Sequence, residues 1–229
     1  MGLQPRWLVE NGLFAVATPH GERYVNYARS SLNSHVNASL AKNKFHTRLI
    51  LERHGLPNIP YAHPTTLAEA ESFLRAHGTI IVKPVEGQGS QDIHIVTSIS
   101  QLTGMNITKC IFEKYITGRE MRYLVLNDRV IAVHQSEYGS SVAADRDLER
   151  ISFSEASWEP HLAELSLAVT DIFRLKFAAI DFLVDDAGHA YILEINSAPG
   201  LKWFHAPTTG PGVDVASLFM EALVVDSKN

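Results

Sequence analysis

The sequence predicts an α+β fold built as two subdomains, and three observations carry that prediction. Apolar runs of strand length come in pairs around turn residues: 178–184 and 189–195 flank Asp185-Asp186-Ala187-Gly188, and 120–126 and 129–136 flank Asn127-Asp128. Amphipathic stretches of helical period lie between such pairs. With 229 residues, 45% of them hydrophobic, the chain is long enough to bury a sizeable core.

The elements follow in order. Short β-like pieces at 12–18 and 23–28 precede the polar connector SSLNSH. A helix over 41–54, with Phe45, Leu49 and Leu51 on its apolar side, stops at Gly55 ahead of Pro57 and Pro60. Arg48 and Arg53 near its end read as solvent-exposed and compatible with the helix dipole. Thr66-Leu67-Ala68-Glu69 fits a capping box that opens a second helix, closed by Gly78. Strands at 79–84, 92–97 and 109–114 build the smaller subdomain, and the later hairpins build the larger. Cys110, the sole cysteine, has no intrachain disulfide partner and reads as a small core residue of a buried strand. Helices near 159–174, with Leu162, Leu165, Val169, Ile172 and Phe173 on one stripe, and near 213–225 complete the set.

Two hairpins carry chemistry. In 178–200, AAIDFLVDDAGHAYILEINSAPG, an even-numbered loop pairs Val184 with His189 and sets Asp181 opposite Ile192. Asp181, Glu194 and Asn196 then share one face, while Ile180, Phe182, Val184, Tyr191, Leu193 and Ile195 form the core face. Two crowded carboxylates need a cation or a proton, and hard oxygen donors suit Mg²⁺ or Mn²⁺. An ordinary hairpin with polar strand ends has the same pattern. In 79–97, TIIVKPVEGQGSQDIHIVT, a loop with Gly87 and Gly89 can bring backbone N–H groups to an anion, with Ser90 adding a hydroxyl and Lys83 a positive charge. It is neither a P-loop nor a dinucleotide fingerprint, and a plain β-turn would explain it equally. Taken together the two hairpins read as the phosphate and metal halves of a nucleotide site.

The segments IVKPVEGQGS, IFEKYITGREMRYLVLNDRVIAV and AAIDFLVDDAGHAYILEINSAPGL together resemble the ATP-grasp carboxylate–amine ligases, nearest the ribosomal-protein glutamate ligase and the glutathione and cyanophycin synthetase branch. The resemblance covers 40–225. It implies an ATP-grasp fold whose two α+β subdomains clasp ATP: a short N-terminal segment 1–40, a small subdomain 41–118 and a large subdomain 119–229 with the metal site. It further implies that Lys44 and Lys83 contact phosphates and that Glu113, Lys114, Tyr115 and Ile116 hold adenine, the backbone of Tyr115 and Ile116 reading the ring edge. Glu120 would bind ribose, and Asp181, Glu194 and Asn196 would bind Mg²⁺ or Mn²⁺. Catalysis would rest on Lys83 and on Arg122, which shares a strand face with Glu120, although an exposed ion pair at that place reads equally well. Lys202 and His205 would meet an acidic substrate. The activity implied is ATP-dependent joining of a carboxylate to an amine through an acyl phosphate, with ADP and phosphate released. A kinase on the same scaffold, or an ATP-binding accessory subunit, is the alternative.

The resemblance breaks twice. About 40 residues precede the helix at Lys44 where relatives carry a further globular domain, which implies a homo-oligomer or a partner subunit supplying part of the acceptor site. At 134–150, HQSEYGSSVAADRDLER, the arginine- and asparagine-bearing catalytic segment of the glutamate ligases is replaced largely by Gln135, Ser136 and Ser140, with Arg146 and Arg150 nearest; a surface loop is the plainer reading.

Composition narrows the field. A net charge of −5 without a dense basic run gives no support for nucleic-acid or anionic-membrane binding. There is no apolar run long enough for a membrane span and no basic-then-apolar leader, so a cytoplasmic location is expected. The 11 histidines show no close metal spacing.

Overall fold

The computed structural model describes residues 5–87, 92–139, 150–152 and 157–226. Strands β1 (Arg6–Val9), β2 (Leu13–Thr18) and β3 (Gly21–Asn26) form a three-stranded antiparallel sheet. Helices α1 (His35–Lys42) and α2 (Lys44–Arg53) lead to β4 (Tyr61–Ala62), α3 (Leu67–His77), β5 (Ile80–Pro84), β6 (His94–Val96) and β7 (Cys110–Lys114). These four strands make a sheet of order β4-β7-β5-β6. The larger sheet, of order β10-β9-β8-β11-β12, comprises β8 (Gly118–Leu126), β9 (Arg129–Gly139), β10 (Arg150–Ser152), β11 (Phe177–Val184) and β12 (Ala190–Asn196). Helix α4 (Pro160–Phe173) precedes β11, and α5 (Lys202–His205) and α6 (Val215–Asp226) follow β12.

Local chemistry explains most of these bounds. Thr66 and Glu69 form the reciprocal capping box at α3, and Gly78 ends the helix at φ 72°. Asn127 and Asp128 both take positive φ, 46° and 61°, as a two-residue turn between twisted strands requires. The helix expected over 41–54 is α2, which starts at Lys44, and α1 over His35–Lys42 is a further helix that the sequence pattern does not predict. Asn43 separates the two with extended φ and ψ (−82°, 108°), and its side chain accepts from the His46 amide to cap α2. The short α5 was not legible as periodicity, being a single turn.

Three apolar clusters organise the layers. The four-stranded sheet packs Ile80, Val82, Val96 and Phe112 against Ala70 and Leu74 of α3. One face of the large sheet packs Met121, Tyr123, Ile180, Phe182 and Ile195 against α4, and Ala41 and Leu51 of α1 and α2 enter this core. Its other face packs Leu124, Ala132, Phe177 and Ala179 against Phe204, α6 and Val16 and Val25 of the N-terminal sheet.

Two expectations of burial are corrected. Cys110 is only half-buried, its thiol near the Asn106 carbonyl at 3.5 Å, and burial pushes its pKa up, with Asp92 adding to this. Arg48 is 1% exposed, whereas Leu49 is 43% exposed, so the inner face of α2 is Thr47, Arg48 and Leu51. Arg53 is exposed as expected.

The register of the metal hairpin also differs from the even-loop expectation. Val184 pairs with Ala190, and a bulge between Asp181 and Phe182 places Phe182 opposite Ile192 but Asp181 opposite Glu194. The extra residue is Leu193, so Tyr191 and Leu193 leave the core face, and Ile192, fully buried, takes their place. A loop one residue longer and a bulge of one residue offset each other, which keeps Asp181 and Glu194 on a common face.

Gly118 opens β8 where a Cβ would lie 2.2 Å from the Val184 carbonyl oxygen, a backbone atom that cannot swing away. Gly118→Ala is therefore expected to lower stability by about 1–3 kcal/mol, read as a drop in thermal midpoint. An unchanged midpoint would show that β8 and β11 can separate there without cost.

Candidate active site

Cross-strand partners place four polar side chains in one row on the face of the large sheet that continues from Phe177 and Ala179. His134 pairs with Arg122, Arg122 with Asp181, and Asp181 with Glu194. Asp181 is 2% exposed and accepts both arms of Arg122, Nε to Oδ1 at 2.5 Å and Nη2 to Oδ2 at 2.6 Å. Burial alone would pull the Arg122 pKa down. The Asp181 charge and hydrogen bonds, with Glu120 and Glu194 adding, outweigh it and raise the pKa. Arg122 thus forms a cross-strand ion pair, but with the buried Asp181 rather than an exposed partner. Glu194 is exposed, and Asn196, half-buried, accepts from the Ala198 amide through Oδ1 at 3.0 Å.

The smaller sheet presents the cations. Lys83 on β5 and Glu113 on β7 occupy the face turned away from α3, with Lys83 Nζ 2.7 Å from Glu113 Oε2. Arg48 Nε meets Glu113 Oε1 at 2.8 Å. Glu113 is fully buried, which would raise its pKa, yet Arg48 and Lys83 hold it down to about 2. Lys44, at the first position of α2, donates from its ammonium to the Gly87 carbonyl at 3.2 Å and from its amide to the Val85 carbonyl at 3.0 Å. Its pKa is lowered chiefly by burial; Glu194 counters this, Lys83 adds to it, Glu113 counters and Lys42 adds. Lys44 is thus electrostatically coupled to both halves of the site.

The remaining expected positions divide. Lys114 is exposed, and its amide donates to Pro60. The Tyr115 amide donates to the Thr79 carbonyl at 3.1 Å, so reading of a ring edge by Tyr115 would have to use its carbonyl. Ile116 and Glu120 are half-buried at the entry to β8 and early in that strand. Gly89 and Ser90 lie outside the described residues, as does the 140–149 part of the divergent segment, including Ser140 and Arg146. Lys202 stands over the Trp203 ring at 4.5 Å, and His205 Nδ1 lies 3.8 Å from Asp214.

Sequence reasoning missed two members. His134 is buried beside Phe204, ring centroids 4.6 Å apart, and its membership of the row could have been read from period two along 130–136. Arg48 carried the plainer signal, a basic residue three positions before Leu51 on the inner stripe of its helix.

An apolar cavity of about 460 Å³ begins where β12 ends, walled by Trp7, Phe14, Leu201, Phe219 and Met220. Its apolar lining offers no charged side chain to a phosphate.

Residues 41–223 match the family model of the RimK-like ATP-grasp domain. The chain belongs to that family. Among relatives of the RimK-like domain, it is 28% identical over 211 residues to a probable α-L-glutamate ligase of Aeromonas salmonicida, covering 84% of this chain and 67% of that protein. It is 29% identical over 183 residues to a D-alanine–D-alanine ligase of Marinobacter nauticus, covering 72% and 55% respectively. The ATP-grasp ligase PsnB, solved with a minimal precursor, Mg and ADP, superposes with TM-score 0.67 at 18% identity, over 86% of this chain and 62% of that one. A bifunctional glutathione synthetase of Pasteurella multocida gives TM-score 0.70 at 14% identity, over 98% and 42%. The chain thus spans between about half and two thirds of the curated relatives it matches. These neighbours establish the ATP-grasp fold, an α+β architecture. Among the described residues no helix is long and apolar enough to cross a membrane.

Proposed function

We propose that this chain binds Mg-ATP between its small and large sheets and joins a carboxylate to an amine. The observation that carries the reading is that Glu194, the cross-strand partner of Asp181, acts electrostatically on Lys44, which also feels Lys83, so that the carboxylate end of β12 and the lysines of the smaller half lie within reach of one another. Lys44 has a lowered pKa because local counter-charge does not offset its burial and neighbouring lysines, the condition that an anionic ligand such as a polyphosphate corrects.

The donor set suits Mg²⁺ or Mn²⁺. Asp181 and Glu194 are direct cross-strand partners with Asn196 two residues on, and Asp181 keeps acceptor capacity beyond the two N–H groups of Arg122. Among the described residues no three His, Cys, Asp or Glu side chains form a metal-holding group, so two carboxylates and an amide need phosphate oxygens or water to complete the shell. Bound there, the metal would neutralise charge on the β- and γ-phosphates.

On this reading Lys83, held by Glu113, and Lys44 orient the γ-phosphate. A carboxylate oxygen of the acid attacks the γ-phosphorus, ADP leaves, and an acyl phosphate forms. The amine then adds to the acyl carbon, phosphate departs from the tetrahedral intermediate with the bonding pair, and the proton lost by the amine nitrogen passes to water or to the departing phosphate. Arg122 spends its Nε–H and one Nη2–H on Asp181, and the second Nη2–H and the two Nη1–H groups are the part of its fork that would steady developing oxyanion charge. Lys83 and Arg122 are the proposed catalytic groups. Gly87, Gly89 and Ser90 would contact phosphate, and Glu113, Lys114, Tyr115 and Ile116 would hold adenine. Glu120 would hold ribose, and Lys202 and His205 would meet the acid. The acid is proposed to be an amino acid or short peptide, the class named for the α-L-glutamate and D-alanine relatives.

The test is ADP release from Mg-ATP with pooled amino acids and short peptides, with and without hydroxylamine. Acid-dependent ADP and hydroxamate are expected, both abolished in Glu194→Gln. Because Glu194 is exposed, that variant should keep its thermal midpoint within about 0.5 kcal/mol of stability. ADP formed with an alcohol and without an amine, yielding a phosphoester, would replace the ligase by a kinase.

A further inference from the structure

Arg48 joins the two halves of the site, and neither the family match nor the sequence motifs assign it a part. Its Nε reaches Glu113, which also holds Lys83. Its other arms cross to the large sheet: Nη1 donates to the Ile192 carbonyl at 2.5 Å and Nη2 to the Leu193 carbonyl at 2.8 Å. These carbonyls flank the bulge that lets Glu194 face Asp181. Asn58 fastens the arginine, accepting from Nη1 at 3.1 Å and donating to the Arg48 carbonyl at 2.9 Å. The same β12 segment is further tied by the Ile192 amide to the Pro57 carbonyl at 3.3 Å.

We infer that Arg48 is a positioning residue which holds the β12 bulge in register and thereby couples Lys83 on the phosphate side to Glu194 on the metal side. A bulge leaves one residue outside the regular ladder and its carbonyls in need of donors. Arg48 supplies two from one rigid fork. Slipping the bulge by one residue would turn Glu194 away from Asp181 and divide the proposed metal ligands between two faces. Because the third donor of the fork fixes Glu113, a shift of β12 is transmitted to Lys83, and the two halves keep a set spacing. The inference rests on the Mg-ATP reading of the site.

The experiment compares wild type, Arg48→Lys and Asn58→Ala. Lysine keeps a charge for Glu113 but cannot span both bulge carbonyls; alanine at 58 loosens the arginine without removing charge. Two readouts are taken: Mn²⁺ affinity from water-proton relaxation with a non-hydrolysable ATP analogue, and amide exchange of peptides covering 190–196. Expected in Arg48→Lys are Mn²⁺ binding weaker by about tenfold or more and faster exchange at 192–195, while metal-free nucleotide affinity changes less than about twofold. Asn58→Ala should shift both readouts the same way by a smaller factor, and it decides the matter if Arg48→Lys does not fold. Unchanged Mn²⁺ affinity and exchange in the folded variants would overturn the inference while leaving the ATP site intact. A folded wild type that binds no nucleotide would overturn the site reading and the inference with it.

Discussion

Replacing Glu113 by glutamine is expected to destabilise the chain by roughly 3–5 kcal/mol, because it strands two buried cations, Arg48 and Lys83, without their shared counter-charge. In a chain of this size that is a fall in thermal midpoint on the order of 10 °C, read by circular dichroism. The same carboxylate sets a pH dependence of definite sign. Its folded pKa of about 2 lies below the ordinary 4.5, so between these values the unfolded chain binds more protons than the folded one. The stability contributed by the Arg48–Glu113–Lys83 group is complete above about pH 4.5 and is lost as the pH falls through about 2. Wild type should therefore lose stability on acidification across that window more steeply than Glu113→Gln. Parallel curves, or a midpoint lowered by less than about 1 kcal/mol equivalent, would mean that water already screens the group.

The second large effect is expected at Asp181. In Asp181→Asn the amide keeps the shape but offers N–H groups to the Arg122 fork where the carboxylate offered only acceptors, and the charge that holds the guanidinium is gone. Stability should fall by about 3 kcal/mol or more, and the proposed nucleotide-dependent Mn²⁺ binding by at least about a hundredfold. The comparison with Glu194→Gln separates the two carboxylates: both variants should abolish ADP release, but only the buried one should also lower the thermal midpoint, since Asp181 is 2% exposed and Glu194 lies at the surface. Equal midpoints for the two would show that the Arg122–Asp181 pair contributes nothing net to the fold.

The hairpins were legible because their signals are local. Asn127-Asp128, the Thr66/Glu69 box and the closing Gly78 act within a few residues, and each appears where the pattern placed it. The shared face of Asp181 and Glu194 was also legible, although by a route that needed two offsets: a five-residue loop and the bulge at Leu193. Helix α1 was not legible, because eight residues with Ala41 as their single buried position present hardly any apolar stripe.

Arg48 marks the boundary most clearly. Locally it is one basic side chain in the middle of an amphipathic helix, and a solvated arginine is the ordinary outcome. Its burial depends on Glu113, 65 positions away, and on the Ile192 and Leu193 carbonyls, 144 and 145 positions away. Strand period, turns and caps are set by neighbours in sequence, so the hairpins, the carboxylate face and the resemblance to a fold family could be read from local pattern. Charge compensation in a low-dielectric interior is set by neighbours in space. Packing in space is what pairs Arg122 with Asp181, sets Arg48 and Lys83 on Glu113, and brings Arg48 to the carbonyls of β12.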